Sequence, residues 1–307
     1  MNFGAAAAIR AAALVLLVAP AATAQIAPPP STPTASSTPT ASSTPTASST
    51  PTASITSAFR WKGTLSQGGL ILGTAPADTR TVTLNGRPIA LAPDGRFIAG
   101  FDRDAGPQAS LTATLVDGRT VTQSLTIAPR AWRIERLNTL PKFPAPDPVF
   151  ARLRPPEQAQ IVAARARITD AQGWRQAFTW PATGRISGLF GSQRVYKGEP
   201  GSYHSGTDVA IPTGTIVTAP ADGVVILAVD HPFTLEGNLL MLDHGMGLNS
   251  AFLHLSRIDV KPGDHVRQGQ PIGASGMTGR ATGPHLHWSL RWDSAKLDPI
   301  LIAGAMR

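Results

Sequence analysis

His204 and Asp208 stand four residues apart in the run His-Ser-Gly-Thr-Asp, and roughly eighty residues later His285 and His287 flank one leucine in Thr-Gly-Pro-His-Leu-His-Trp. Imidazole nitrogen and carboxylate oxygen are the usual ligands of a catalytic zinc, and three protein ligands leave a fourth position for an attacking water. The two segments together therefore predict a zinc-dependent hydrolase. The chain has no cysteine, which excludes disulfides, a lipid-modified N-terminal cysteine and thiolate ligands. Any metal must be held by histidine and carboxylate.

Taken singly, these residues decide less. If the run around His285 and His287 is a strand, the two point to one face and can converge on one metal or one water, so strand geometry admits His285 as a fourth ligand. Ordinary hydrogen-bonded histidines fit the pair equally well. Gly201, Gly206 and Pro212 favour a loop-to-strand setting for His204 and Asp208 over a helix. His254 lies in the apolar run Ala-Phe-Leu-His-Leu, where a buried, satisfied histidine is the simple explanation. All seven histidines nevertheless fall between positions 204 and 287, and that clustering points to a site.

The elements that must position them follow from the patterning. Residues 1–24 read as a signal peptide, with Arg10, an apolar run from Ala11 to Ala19 and the small residues Ala22-Thr23-Ala24 before Gln25. The apolar run is too short to span a bilayer. Residues 25–57 form a Ser/Thr/Pro linker with four copies of Ser-Thr-Pro-Thr-Ala-Ser, expected to be a disordered, extended tether. Over 58–129, alternating runs are broken by Asn85-Gly86, Asp94-Gly95 and Asp117-Gly118, which predicts hairpins and a small β-sandwich. Residues 130–180 are an irregular and helical connector: prolines 141, 144, 146 and 148 precede an Ala/Arg/Gln-rich helix expected over Ala151–Ala171, with Ile161, Ala164 and Ile168 on its packing face. From 181 to 307 the chain is strand-like and rich in Gly and Pro, with buried runs such as Gly223–Val229 and Leu239–Leu242. The fold class expected is mainly β, with a compact antiparallel C-terminal domain.

At this point the residues carry a resemblance. Tyr203-His-Ser-Gly-Thr-Asp-Val-Ala-Ile-Pro, Ala219-Pro-Ala-Asp-Gly, Phe252-Leu-His-Leu-Ser and Ser275-Gly-Met-Thr-Gly through His287 resemble, in order and spacing, the lysostaphin/LytM-type zinc metallopeptidases over about Gly184 to Pro299. The stretch Thr81 to Phe97 resembles bacterial immunoglobulin-like envelope modules. The first resemblance implies His204, Asp208 and His287 as zinc ligands and His254 and His285 as the catalytic pair flanking the attacking water. It implies a peptidoglycan peptide as substrate; members of the family cut either glycine bridges or D-amino-acid cross-links, and the signal, the absence of a wall-anchoring motif and the resemblance to members of Gram-negative type favour D,D cross-links. Arg194 is a candidate contact for a substrate carboxylate. Trp288-Ser289 departs from the family's frequent aromatic-then-acidic pair, which keeps a non-catalytic wall-binding protein or an amidase activator as the alternative. There is no His-Glu-x-x-His motif, so a histidine must do the proton work.

The formal net charge of +8 comes from scattered basic residues with no aromatic-interleaved patch, so no nucleic-acid partner is expected. The chain is read as periplasmic or otherwise exported to the cell envelope, with no stable membrane span after signal cleavage; any regulatory protein partner is unidentified.

Overall fold

The computed structural model describes residues 58–139 and 147–306. The signal peptide, the repeat linker and most of the proline run of the connector lie outside the described residues. The first strands are β1 (Arg60–Gly63), β2 (Leu70–Thr74), β3 (Thr79–Leu84), β4 (Arg87–Ile89), β5 (Arg96–Gly100), β6 (Gln108–Leu115) and β7 (Thr120–Thr126). They make a three-stranded sheet, β1-β2-β5, and a four-stranded sheet, β4-β3-β6-β7. Val82, Leu111 and Leu125 from one sheet and Ile71 and Phe97 from the other share a core. The Asn85-Gly86 turn forms as expected, both residues having positive φ, 51° and 76°.

Next come β8 (Ile134–Leu137) and α1 (Pro148–Arg165). The helix is earlier and shorter than its composition suggests. Asp147 caps it by accepting from Val149 N at 2.9 Å, and Pro148 occupies the first turn, where its missing amide costs nothing. Beyond Arg165, side-chain bonds replace helical ones: Thr169 Oγ1 donates to Asp243 at 2.5 Å and accepts from Ala171 N. Ile168 therefore leaves the expected packing face and is 98% exposed, while Ile161 and Ala164 are buried. The connector also supplies a strand that patterning missed, since β8 has only the four residues Ile-Glu-Arg-Leu.

The remainder comprises β9 (Arg185–Gly188), β10 (Gln193–Tyr196), β11 (Glu199–Pro200), β12 (Thr207–Ala210), β13 (Ile216–Thr218), β14 (Gly223–Ala228) and β15 (Asn238–Asp243). It continues with β16 (Leu248–Leu255), β17 (Arg257–Ile258), β18 (His265–Val266), β19 (Pro271–Ala274), β20 (Leu286–Trp292), β21 (Ala295–Leu297) and α2 (Pro299–Ala303). An antiparallel sheet of eight strands runs β18-β14-β15-β16-β20-β12-β9, with β21 added beside β20. Strand β8 pairs parallel with β10 in a separate small sheet. The fold is thus mainly β.

Alternation along β20 defines the two faces of the large sheet. Leu286, Trp288, Leu290 and Trp292 are buried in the main core. That core is continuous with the N-terminal strands: a Cβ on Gly100 would sit 2.9 Å from Leu297, and Lys296 N donates to Asp102 at 2.9 Å. The opposite face carries His287, Ser289 and Arg291. Helix α1 covers the neighbouring part of that face, packing Ile161 and Ala164 against Ile226, Met241 and Ala251.

Candidate metal centre

The ligand candidates meet at the uncovered end of this face. His204 lies in the loop before β12, Asp208 within β12, and His287 directly opposite Asp208 on β20. His204 Nε2 is 3.1 Å from Asp208 Oδ1 and 3.0 Å from His287 Nδ1, and His287 Nδ1 is 2.8 Å from Asp208 Oδ1. Among the described residues no other group of three or more His, Cys, Asp or Glu side chains converges in this way.

Two glycines make room for the triad. A Cβ on Gly188 would lie 2.2 Å from Asp208 Oδ2, and one on Gly206 would lie 2.6 Å from His287 Nε2. Sequence patterning marks Gly206 only as a loop signal and leaves the role of Gly188 unmarked. A side chain at either would displace one of the triad side chains.

The donor set fits a cation. A carbonyl can only accept, so the 3.1 Å contact to Leu189 O requires a proton on His204 Nδ1. In the neutral ring Nε2 then presents a lone pair to the Asp208 carboxylate, an acceptor facing an acceptor unless a positive charge lies between them. Donors of a tetrahedral zinc are about 3.3 Å apart for bonds of about 2.0 Å, close to the spacings observed. Burial opposes ionisation of Asp208, yet the contacts with His204 and His287 outweigh it and hold its carboxyl far below the usual range. Burial also opposes the charged form of His204, but the contact with Asp208 overcomes it and shifts the ring upward. His287 is shifted downward, chiefly by burial and despite Asp208.

His254 and His285 stand next to the triad. Their ring centroids are 4.8 Å apart, and His285 Nε2 is 3.8 Å from Asp208 Oδ1. His285 lies just before β20, bridged to Gly276. Each ring gives its Nδ1 proton to a backbone carbonyl at 2.8 Å, His254 to Thr278 and His285 to Gly283. In the neutral ring each Nδ1 contact leaves Nε2 as the acceptor. Burial pushes His254 down to about 4; the Thr278 carbonyl opposes this, while His287 and His285 add to it.

The backbone aims His254. Between Asn238 and Leu240 of β15 the partners run from Leu255 to Phe252 of β16, so β16 holds one extra residue there. His254 takes φ +64° at that bulge. Bulges of this kind redirect side chains beside active sites, and a left-handed non-glycine residue is strained by about 1–3 kcal/mol. Its amide donates to Glu236 O at 2.9 Å. Glu236 is gripped in turn by Arg154 of α1 through contacts of 2.6 and 2.8 Å. This support was illegible in sequence because Arg154 and Glu236 are far apart along the chain.

The other expected residues divide. Arg194 is exposed on β10 and forms an ion pair with Glu135 of β8 at 2.8 Å. His244 is a buried structural histidine between Asp222 O and Ser250 Oγ, and His231 pairs with Asp230 at the surface. Trp288 is wholly buried in the core, leaving Ser289 on the site face.

A triad of two histidines and one aspartate on the face of an antiparallel sheet, with two further histidines beside it, makes a candidate metal centre with the donor set of a β-sheet metalloprotein. Comparison makes the class specific: residues 202–299 match Peptidase family M23, and this part of the chain is a peptidase M23 domain of the LytM and lysostaphin type. Over 107 residues, 34% of this chain and 24% of the relative, it is 46% identical to peptidoglycan DD-endopeptidase ShyA of Vibrio cholerae. It is 33% identical over 158 residues to the cell division protein DipM of Caulobacter vibrioides, covering 48% of this chain and 25% of DipM. The chain thus spans about a quarter of the length of these curated relatives. A solved Pseudomonas aeruginosa structure assigned to peptidase M23 superposes with a TM-score of 0.60 at 27% identity, covering 79% of this chain and 96% of that one.

Proposed function

We propose that the chain is an exported zinc endopeptidase that hydrolyses D,D peptide cross-links of peptidoglycan. The observation that carries this reading is the completeness of the centre: three ligand atoms within 3.1 Å of one another, with two imidazoles beside them whose Nε2 atoms are free to accept a proton. His204, Asp208 and His287 would hold the ion. Bound zinc supplies Lewis acidity, polarising the scissile carbonyl and making water nucleophilic near neutral pH. His254, kept neutral by burial, accepts the proton of the attacking water. His285, fixed by Gly283 O, orients that water by accepting a hydrogen bond from it at Nε2. The similarity to a peptidoglycan DD-endopeptidase supports the choice of substrate.

The test is incubation of the purified chain with isolated peptidoglycan, with and without chelator, beside His285→Ala. New peptide termini should appear only with the wild type and zinc. Release by the chelated protein, or none by the zinc-loaded one, overturns the reading.

A further inference from the structure

Arg165, the last residue of α1, has its side-chain Nε buried without a hydrogen-bond partner, and its side chain forms no ion pair among the described residues. Buried polar atoms are rarely left without a partner, so the position calls for an explanation. Burial and then the charge of Arg291 push its guanidinium down to about 10, with Glu236 opposing weakly. Glu236 is already engaged by both guanidinium nitrogens of Arg154.

Four residues beyond Arg165, Thr169 bonds Asp243 of β15, which pairs with Asn249 of β16, which pairs with Arg291 of β20, so the end of α1 lies over the end of the sheet that carries Arg291. Arg291 lies two positions beyond Ser289 and four beyond His287 on the same face of β20, about 13 Å from the triad. Its Nε donates to the carbonyl of Asp293 at 2.7 Å, and it forms no ion pair among the described residues. Lys296 on β21 pairs directly with Arg291, and its ammonium lies 4.5 Å from the ring of Tyr203, the neighbour of His204. Three cations thus border a partly exposed strip leading to the triad, and Ser289 between them carries no charge.

We propose that Arg165 and Arg291 form an anion subsite on this strip that takes a free carboxylate of the peptide substrate. The inference deepens the endopeptidase reading and rests on it for the identity of the ligand. Guanidinium groups suit a carboxylate because their planar donors can engage both oxygens.

The test is equilibrium binding to the zinc-loaded full chain of an uncross-linked stem tetrapeptide with free carboxylates, and of the same peptide fully amidated. Neither contains a cross-link to be cut. The wild type should bind the free form about tenfold more tightly. Arg165→Gln with Arg291→Gln should reduce that ratio to less than about twofold at unchanged zinc content, while lysine at both positions keeps part of it. Should the double variant unfold, Arg291→Gln alone must still lower the ratio. No discrimination by the wild type, or an undiminished ratio in a folded glutamine variant, overturns the subsite. Failure to cleave cross-linked muropeptides would instead remove the peptidase reading, and the binding ratio would still decide the subsite.

Discussion

At the level of single residues, the proposed centre would separate holding an ion from moving a proton. Asp208→Asn weakens the charge that binds His204 and His287 together, so zinc measured by elemental analysis should fall from one equivalent to a small fraction. His285→Ala and His254→Ala remove groups outside the triad. Each should keep its zinc and lose about 100- to 10,000-fold in kcat. Zinc lost from His285→Ala to the same extent as from Asp208→Asn would make His285 a ligand, the alternative that strand geometry alone admits. Gly206→Ala should lower metal content as well, because its methyl would enter the space of the His287 ring. The triad and its neighbours were legible because their chemistry is written in residue type. The carbonyls of Leu189, Thr278 and Gly283 that set the tautomers were not, since every residue has a carbonyl and only the fold selects these.

Among the elements, α1 matters more than its mostly polar sequence suggests. Its Glu157 accepts from both the amide and the hydroxyl of Thr234, and Arg154 holds Glu236, so two contacts fasten the loop that supports the His254 bulge. Arg154→Ala should destabilise the fold by about 2 kcal/mol, measured by denaturant unfolding, by leaving Glu236 poorly compensated. The short strands around the turns were readable from Asn-Gly and Asp-Gly pairs, as at Asn85-Gly86. The end of the helix was not: Ile168 continues the apolar spacing, but Thr169 and Asp243 capture the chain first. The bulge at His254 likewise left no trace in the Ala-Phe-Leu-His-Leu pattern.

For the molecule as a whole, the large sheet is clamped between the main core and α1, and His244 sits within that core. Its Nδ1 proton goes to Asp222 O and its Nε2 accepts from Ser250 Oγ at 2.7 Å, leaving no room for a second proton. Burial lowers its pKa from 6.5 to about 4, with the Asp222 carbonyl opposing. The unfolded chain therefore binds more protons between those values. The stability contributed is full above pH 6.5 and is lost as pH falls toward 4, by about 3 kcal/mol. In metal-free protein, the melting temperature should fall across that window less steeply for His244→Gln than for the wild type; equal slopes would show that His244 does not contribute. Among the described residues no helix is long and apolar enough to cross a membrane.

The proposed function requires one zinc, held by His204, Asp208 and His287, in an endopeptidase. Mass spectrometry of purified D,D-cross-linked muropeptide dimers incubated with the chain addresses this without intermediaries. The dimers should be converted to monomers ending in a free D-alanine carboxylate, a conversion abolished by chelator and by His285→Ala and restored to the wild type by added zinc. Intact dimers in the presence of fully zinc-loaded, folded protein would contradict it.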